Sequence, residues 1–321
     1  LIKGWHAKGI KILDELEGMW AFALFNKNTG ETILCRDRFG EKPLYVLQTE
    51  GELFFGSEIK VLPVLSGKPL EKNMDQAYRY LVNTHKSLNK YNETFYKGVN
   101  EVKPGELWSI KNGDTNTYKY WKPTYHPKPT TEEQAIEKIK EGLIQSVKLR
   151  MRADVPLAFC LSGGVDSSAL VSIATKELNC DVQTFSIIDQ DERYNERENI
   201  EATIKDTGSK SELIELSPDF DYLAHLKKLV RYHDGPIGTI SYLVHSRLME
   251  AMSKKGYKIS ISGTGADELF TGYYDHFLYH LAGLDQPAFQ KHKKHWEDHA
   301  AKTVRNPMLK DPYRFRNNPE S

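Results

Sequence analysis

The sequence has few cysteines, no long hydrophobic run and no excess of charge of either sign. Its three cysteines, Cys35, Cys160 and Cys180, are too few and too scattered for a disulfide framework or a zinc site, and they favour a reducing, cytoplasmic setting. No apolar run approaches the roughly 18 residues that a membrane helix needs, so we expect no membrane partner. Lys plus Arg and Asp plus Glu both number 44, so no basic field favours a nucleic-acid partner.

An initiator methionine and a signal peptide are also absent. The chain begins at Leu1, and no charged segment with an apolar core follows it, which predicts a fragment of a longer protein. At 321 residues the chain exceeds the usual size of a single hydrophobic core, so we expect two domains.

The first third alternates short apolar runs with turn signals. Such strands at hairpin spacing predict an antiparallel sheet, interrupted by helices over 57–65 and 74–84. The predicted strands span 18–26, 31–39, 44–48, 52–56, 106–110 and 117–121.

A proline-rich segment, 121–131, separates this part from a second part with a different pattern of strands and helices. We interpret the segment as a linker between two domains, 1–125 and 126–321. Beyond it, strands alternate with longer helices, which predicts a doubly wound parallel sheet. Strands are expected at 156–161, 182–188, 211–216 and 257–262. Helices are expected at 132–152, 166–178, 195–206, 219–233 and 240–255.

The stretch FCLSGGVDSSAL, residues 159–170, has the pattern of a phosphate loop between a strand and a helix. Gly163 and Gly164 let the backbone approach an anion closely, and Asp166 is suited to holding magnesium. Because the loop has no lysine, it suits the release of pyrophosphate better than transfer of a terminal phosphoryl group. It therefore points to adenylation of a carboxylate. The alternative is a Ser/Gly turn that caps an ordinary helix.

A second loop, SGTGADE at 262–268, follows another short apolar strand. In open α/β sheets ligands collect at the carboxyl ends of strands, so we expect the two loops to face one cleft.

The residues around both loops resemble those of the glutamine-dependent asparagine synthetases. SGGVDSS alone is shared by the wider ATP-pyrophosphatase superfamily. The longer stretches LRMRADVPLAFCLSGGVDSSAL, FSIIDQDERYNERENIEA and ISISGTGADELFTGY resemble the synthetase domain of this family. LEGMWAFALFN, RDRFGEKPLY and FFGSEIKVL resemble the later half of its N-terminal glutaminase domain, and the resemblance extends from residue 1 to about 275.

The resemblance implies a fold and a set of site residues. The fold is part of an antiparallel-sheet amidohydrolase domain of the Ntn type, then a doubly wound ATP-pyrophosphatase domain that is incomplete at its C-terminus. ATP and Mg²⁺ are the implied cofactors, with Asp166 and Asp267 as metal ligands. The residues expected around pyrophosphate are Ser162, Gly163, Gly164, Asp166, Ser167 and Ser168. Those expected at the adenosine part, through backbone groups, are Cys160, Leu161, Ile187, Ser262 and Gly263.

The chain also departs from the family pattern. The family's nucleophilic N-terminal cysteine and its synthetase lysine lie outside the sequence, so we expect this fragment not to complete the reaction, and its catalytic residues stay unknown. Cys35 cannot replace that cysteine, because it lies in a strand-like run with no free α-amino group beside it. Position 264 is Thr where the family usually has Glu.

The expected function is amidation of a carboxylate through an acyl-adenylate, which consumes glutamine and ATP and releases AMP and pyrophosphate. L-Aspartate is the default acceptor. A sugar uronic acid of surface-polysaccharide (O-antigen) synthesis is the alternative, motivated by Thr264 and by the aromatic run from Phe270 to Tyr279. A non-catalytic nucleotide-binding module is the alternative of another class. The expected partners are small molecules, and whether the protein forms a homodimer is left open.

Two further clusters are more simply structural. The charged residues of RDRFGEKPLY are expected to hold a sheet edge through an Arg/Asp pairing; they are Arg36, Asp37, Arg38, Glu41 and Lys42. His292, His295 and His299 share one helix face with metal-ligand spacing, but the neighbouring lysines repel a cation and favour a solvated helix.

Overall fold

The computed structural model describes residues 1–88, 92–191, 195–217 and 219–317. The chain divides into two compact units. The first unit consists of Leu1–Thr131 and Asp219–Arg247, and the second consists of Glu132–Pro218 and Leu248–Ser321. This grouping places Asp219–Arg247 with the N-terminal part, whereas the sequence prediction placed it in the second domain. The predicted domain limits 1–125 and 126–321 stay a prediction.

The N-terminal part of the chain forms antiparallel sheets, as predicted. The strands are β1 (Ala21–Asn26), β2 (Glu31–Arg36), β3 (Tyr45–Thr49), β4 (Glu52–Gly56), β5 (Val99–Glu101), β6 (Glu106–Lys111) and β7 (Asp114–Lys119). One sheet has the order β1-β2-β6-β7, and the other has the order β4-β3-β5.

The last hairpin is tighter than the sequence predicts. Lys111 pairs directly with Asp114, and both residues between them have positive φ, 54° at Asn112 and 88° at Gly113. Those values are typical of a two-residue type I′ turn, whose twist matches the flanking strands. Strand β7 therefore begins at Asp114, and the predicted start at residue 117 is wrong.

Helices flank the sheets. The first of them, together with a 3₁₀ helix at Gly9–Asp14, precedes the first strand and was not predicted. The α-helices are α1 (Ile2–Lys8), α2 (Leu62–Ser66), α3 (Met74–Asn83), α4 (Glu132–Arg150), α5 (Val165–Ser172), α6 (Arg197–Thr207), α7 (Tyr222–His233), α8 (Ile240–Lys254), α9 (Ala266–Phe270), α10 (Tyr274–Ala282), α11 (Gln286–His299) and α12 (Arg314–Asn317). Shorter 3₁₀ helices lie at Ile59–Val61, Thr84–Ser87 and Pro307–Leu309. Within the described ranges, no helix is both long and apolar enough to span a membrane.

The second unit is built on a parallel sheet, as predicted. Its strands are β8 (Leu157–Cys160), β9 (Gln183–Ile188), β10 (Lys210–Glu215) and β11 (Ile259–Ile261), in the order β10-β9-β8-β11. Successive side chains of a strand point to opposite faces. Phe159 accordingly packs in a core with Val147 of α4 and Ile200 of α6, whereas Cys160 packs in another core with Leu248 of α8. Helices thus cover both faces, which confirms the doubly wound fold.

The helix predicted over 166–178 is continuous but changes its winding. It runs as α5 to Ser172 and continues as a π-helical turn over Ile173–Glu177. Thr175 donates its hydroxyl to the carbonyl oxygen of Val171 at 2.9 Å. Such bonding back along a helix competes with the backbone ladder and accompanies bends.

Candidate functional site

The glycine-rich loop follows β8 and leads into α5. Gly163 has a φ of 82°, and a β-carbon at this position would lie 3.0 Å from Asn199 Cβ and 3.1 Å from the carbonyl oxygen of Glu196. Only glycine tolerates both that conformation and that close approach. The start of α6 therefore packs directly against the backbone of the loop.

Serine hydroxyls hold the loop in shape. Ser167 is 4% exposed; its hydroxyl accepts the N–H of Ser162 at 3.1 Å and donates to the carbonyl oxygen of Gly164 at 3.2 Å. Ser162 Oγ lies 3.0 Å from Ser167 Oγ and accepts the N–H of Gly164 at 3.4 Å. Ser168 Oγ lies 3.1 Å from Thr203 Oγ1 on α6. The serines thus form an internal network that fixes the backbone.

The helix-capping interpretation of the loop does not describe this structure. The residue at the N-cap of α5 is Gly164, which has no side chain to cap the helix, and the Ser162 hydroxyl accepts the N–H of Gly164 itself rather than one from the first turn. The N–H groups of the first turn are therefore not used by a capping side chain and, with the helix dipole, favour an anion.

The second loop touches the first. A β-carbon on Gly263 would lie 2.9 Å from Asp166 Cβ and 3.1 Å from the backbone nitrogen of Ser167. The reason lies in the sheet: β11 pairs in parallel with β8, Ile261 beside Phe159, so both strands end at the same edge. The sheet reverses its order there, because β9 and β10 lie on one side of β8 and β11 on the other. Ligands of open α/β sheets bind at such switch points.

The two predicted metal ligands lie at the starts of two helices. Asp166 is in the first turn of α5, and Asp267 is in the first turn of α9. Gly272 packs on Asp267: its N–H donates to the Asp267 carbonyl oxygen at 2.9 Å, and a β-carbon at 272 would overlap the Asp267 carboxylate. The described residues contain no cluster of three or more metal-ligating side chains.

The residues expected at the adenosine part lie around the ends of the same strands. The N–H of Leu161 donates to the Phe185 carbonyl oxygen at 2.9 Å, so the sheet already uses it. Burial raises the pKa of the Cys160 thiol to about 11, which fits a strand residue without thiol chemistry. Ile187 packs against the core that contains Cys160, and Ser262 donates its hydroxyl to Thr264 Oγ1 at 3.1 Å.

Sequence reasoning missed residues that support these loops. Glu196 and Asn199 contact Gly163, and burial raises the pKa of the Glu196 carboxyl. In the second loop region, Tyr273 donates to Glu268 Oε1 at 2.7 Å, and this hydrogen bond lowers the pKa of Glu268. One sequence signal could have pointed to these residues: all four lie in the two stretches FSIIDQDERYNERENIEA and ISISGTGADELFTGY, which carry the family resemblance.

The charged cluster of RDRFGEKPLY is structural, but its pairing differs from the expected one. Arg36 is buried and binds the Glu101 carboxylate at 2.7 Å rather than Asp37. Asp37, only 1% exposed, accepts the N–H groups of Phe39, Glu41 and Lys42 at 3.1, 2.9 and 2.9 Å. The Arg/Asp pairing is wrong, because the carboxylate of Asp37 closes the following turn instead.

Cys35 does not have the environment of a reactive thiol. It is completely buried, and burial raises its pKa to about 12. A nucleophilic cysteine needs a lowered pKa, so the structure agrees with excluding Cys35 as the glutaminase nucleophile.

Comparison with known proteins finds family matches in both parts of the chain. The glutamine amidotransferase domain family matches residues 1–121, and the asparagine synthase family matches residues 138–318. The chain is 32% identical to glutamine-hydrolysing asparagine synthetase 1 of Bacillus subtilis, over 81% of this chain and 40% of that protein. It is 28% identical to the amidase chyE of Penicillium rubens, over 83% of this chain and 41% of that protein.

The chain thus spans about two fifths of the length of these relatives. The family match and the geometry agree, since the matched region contains the glycine-rich loop, the second loop and the parallel sheet that joins them. Because the asparagine synthase match extends over residues 138–318 of a chain of 321 residues, the chain belongs to the asparagine synthase family.

Proposed function

We propose that the protein uses ATP to activate a carboxylate as an acyl-adenylate and then converts it to an amide with ammonia drawn from glutamine. The observation that carries this proposal is the contact of Gly263 with Asp166 and Ser167, which joins two loops at one switch point of the sheet. One loop has the form of a pyrophosphate cradle, and the other, which follows the neighbouring strand β11, leads to Asp267 in the first turn of α9.

The chemistry of the first loop favours adenylation. In the first step, an oxygen of the acceptor carboxylate attacks the α-phosphorus, the bond from that phosphorus to the bridging oxygen breaks, and pyrophosphate leaves. The uncapped N–H groups at the start of α5 support the departing charge, and the loop contains no lysine to hold a terminal phosphate. In the second step, ammonia attacks the acyl carbon, the bond from that carbon to the phosphate oxygen breaks, AMP leaves, and the nitrogen loses one proton to water.

Magnesium fits this donor set. Mg²⁺ prefers one or two carboxylates together with phosphate oxygens and water, rather than a cage made only of protein ligands. Asp166 and Asp267 supply such carboxylates, and the described residues offer no cluster of three ligands that would suit another ion better at these loops. When bound, the ion would neutralise the charge of the phosphate tail, while the loops orient it.

The choice of glutamine as the source of ammonia rests on the match of residues 1–121 to the glutamine amidotransferase domain family. The buried thiol of Cys35 supplies no nucleophile for that step. The nucleophile of the glutaminase step is therefore not Cys35.

L-Aspartate is the proposed acceptor, and a sugar uronic acid is the second candidate. Thr264 favours the latter, because its hydroxyl, bonded to Ser262 at 3.1 Å, stands where the family usually has a glutamate. The aromatic run gives less support than the sequence suggested. Tyr279 stacks on Phe315 at a centroid distance of 3.9 Å, and Tyr274 packs on Trp296, so both belong to the C-terminal helical core.

The first test measures nucleotide binding. Titration with ATP and Mg²⁺ should give saturable binding that weakens about tenfold or more in Asp166→Ala, because the variant loses a carboxylate at the phosphate tail. Asp298→Ala on α11 is the matched control and should bind like the parent. Binding that does not change in Asp166→Ala would favour a non-catalytic nucleotide module instead.

The second test identifies the acceptor. Pyrophosphate release by the complete gene product is measured with ATP, glutamine and either L-aspartate or a panel of uronic acids. Release that depends on aspartate supports the default acceptor. Release only with a uronic acid replaces it, and release with neither carboxylate contradicts both.

A further inference from the structure

The first compact unit holds a cavity that the proposed reaction does not use. Its volume is about 470 Å³, and it lies among the start of α3, the segment at Phe95 and the end of α7. Every residue that lines it belongs to that unit, whereas the two glycine-rich loops belong to the second unit. Small-molecule sites of proteins have volumes of about 300 to 1,000 Å³, so the cavity is large enough for a ligand.

The walls of the cavity are mostly apolar. Their apolar side chains are those of Met74, Ala77, Phe95, Tyr96, Val230 and Pro236. Aromatic rings offer a large, flat contact area, and methionine fills irregular gaps. These walls therefore favour a ligand with an aliphatic or aromatic body.

Two polar residues of the lining already have partners in the fold. The Asn73 side chain accepts the N–H of Gln76 at 3.2 Å and donates to the Thr94 carbonyl oxygen at 3.2 Å. The Asp234 carboxylate accepts the N–H of Lys60 at 3.1 Å, and the Lys60 ammonium lies 3.7 Å from the same oxygen. The fold itself thus balances the acidic group of this lining.

Two basic residues of the lining have no such partner. Lys72 precedes α3, and Arg231 lies in the last turn of α7. Within the ranges that the structure describes, neither side chain forms an ion pair. The planar guanidinium of arginine binds a carboxylate through two parallel hydrogen bonds. The charge of the lining therefore favours a ligand with one negative group.

Contacts across the cavity hold its walls in place. Tyr80 of α3 donates its hydroxyl to the Ile237 carbonyl oxygen at 2.8 Å. Gly235 approaches the Phe95 ring so closely that a β-carbon at position 235 would lie 3.1 Å from the Cδ2 atom of that ring. Because these contacts fix the turn after α7 against α3 and Phe95, little of the site has to become ordered when a ligand binds.

We propose that this cavity binds a small carboxylate with an apolar body. The body packs against Phe95 and the other apolar walls, and the carboxylate pairs with Arg231 and Lys72. A neutral apolar molecule leaves both cations without an anion, whereas a highly charged molecule such as a nucleotide does not suit apolar walls. This second ligand site does not depend on the proposed reaction.

Two matched probes test the proposal on the complete gene product. 2-Naphthylacetate has a carboxylate, and 2-naphthylacetamide has the same body without the charge. Calorimetric titration at neutral pH should show one equivalent of naphthylacetate bound at submillimolar concentration. The amide should bind about fivefold more weakly or worse, because it lacks the ion pair.

Variants separate the two parts of the site. Arg231→Gln should weaken binding of the carboxylate by about fivefold or more and leave binding of the amide unchanged. Ala77→Phe fills the cavity and should abolish binding of both probes. Circular dichroism of each variant shows that a lost site is not a lost fold.

Lys227→Gln is the matched control for the arginine variant. Lys227 is an exposed cation one turn earlier on α7, and it does not line the cavity. The control should bind naphthylacetate within about twofold of the parent. Ala135→Phe on α4 controls for added bulk and should bind both probes like the parent.

Three results would overturn the proposal. One is a parent protein that binds no naphthylacetate at about 1 mM. Another is equal binding of the two probes, which would indicate an apolar groove suited to a protein partner instead. The third is a loss in Lys227→Gln as large as in Arg231→Gln, which would assign the effect to the general charge of α7.

Discussion

Gly263 lies directly against Asp166, so that a β-carbon at position 263 would come within 2.9 Å of Asp166 Cβ. The next nearest atom to that β-carbon would be the backbone nitrogen of Ser167, at 3.1 Å, which cannot rotate away. We predict that Gly263→Ala pushes the two loops apart and weakens binding of ATP with Mg²⁺ by about tenfold or more. The overpacked contact should also lower the free energy of unfolding by about 1 to 3 kcal/mol. Calorimetric titration and urea unfolding measure the two effects.

Gly142→Ala is the control for this substitution. Gly142 lies within α4, and a β-carbon there meets no atom within 4 Å. Alanine should therefore raise the free energy of unfolding by about 0.5 to 1 kcal/mol, since it favours the helix, and leave ATP binding unchanged. Equal ATP affinity in both variants would show that the contact between the loops does not matter for the nucleotide.

Ser167 should matter more for the shape of the first loop than Ser168. The buried Ser167 hydroxyl bonds to Ser162 and Gly164, whereas the Ser168 hydroxyl bonds to Thr203 on α6. We predict that Ser167→Ala costs about 1 kcal/mol of stability and also weakens nucleotide binding. Ser167→Thr should not restore the parent, because its extra methyl has no room beside a residue that is 4% exposed. Unfolding curves of Ser168→Ala, measured beside these, should show the smaller loss.

The architecture was predictable because its signals are local. Hydrophobic alternation and turn residues mark the antiparallel strands, and strands alternating with long helices mark the parallel sheet. The same pattern predicted that the two glycine-rich loops would meet, because each loop follows the carboxyl end of a strand and the two strands were expected in one sheet. The adjacent placement of β8 and β11 satisfies that condition.

The contacts within the site were not predictable, because they join residues distant in sequence. Nothing around Gly163 indicates that Glu196 and Asn199 would pack on it, and nothing around Arg36 points to Glu101. The contact between His280 of α10 and His292 of α11 was missed for a related reason. Spacing along one helix reveals His292 and His295, but a partner on another helix becomes visible only when the helices pack.

Asp37 offers a test that separates structure from catalysis. Its carboxylate accepts three backbone N–H groups of the following turn while almost fully buried. Asp37→Ala leaves those donors unpaired and should lower the free energy of unfolding by about 3 kcal/mol. ATP binding at the parallel sheet should persist under conditions where the variant is folded. A stable Asp37→Ala variant would contradict the assignment of this cluster to the fold.

The buried cysteines give a prediction about pH. Burial raises the thiol pKa from about 9 to about 11 in Cys160 and to about 12 in Cys35. Because the folded pKa is the higher one and the unfolded chain ionises first, the stabilising contribution is complete below pH 9 and is lost as pH rises through about 11 for Cys160 and about 12 for Cys35. The free energy of unfolding should fall by up to about 1.4 kcal/mol per pH unit for each buried thiol. Unfolding curves of Cys160→Ala between pH 8.5 and 10.5 should show a shallower fall than those of the parent.

The same two thiols should resist alkylation of the folded protein. A thiolate is the reacting species, and a pKa near 11 leaves only about one thiol in a thousand ionised at pH 8. Cys180 is only partly buried, so iodoacetamide should modify it first. Mass spectrometry of the parent and of Cys180→Ala resolves the three sites, and Cys180→Ala should take up almost no label until it is unfolded. Rapid labelling of Cys35 in the folded protein would contradict its buried position and reopen the question of a nucleophile in the N-terminal part of the chain.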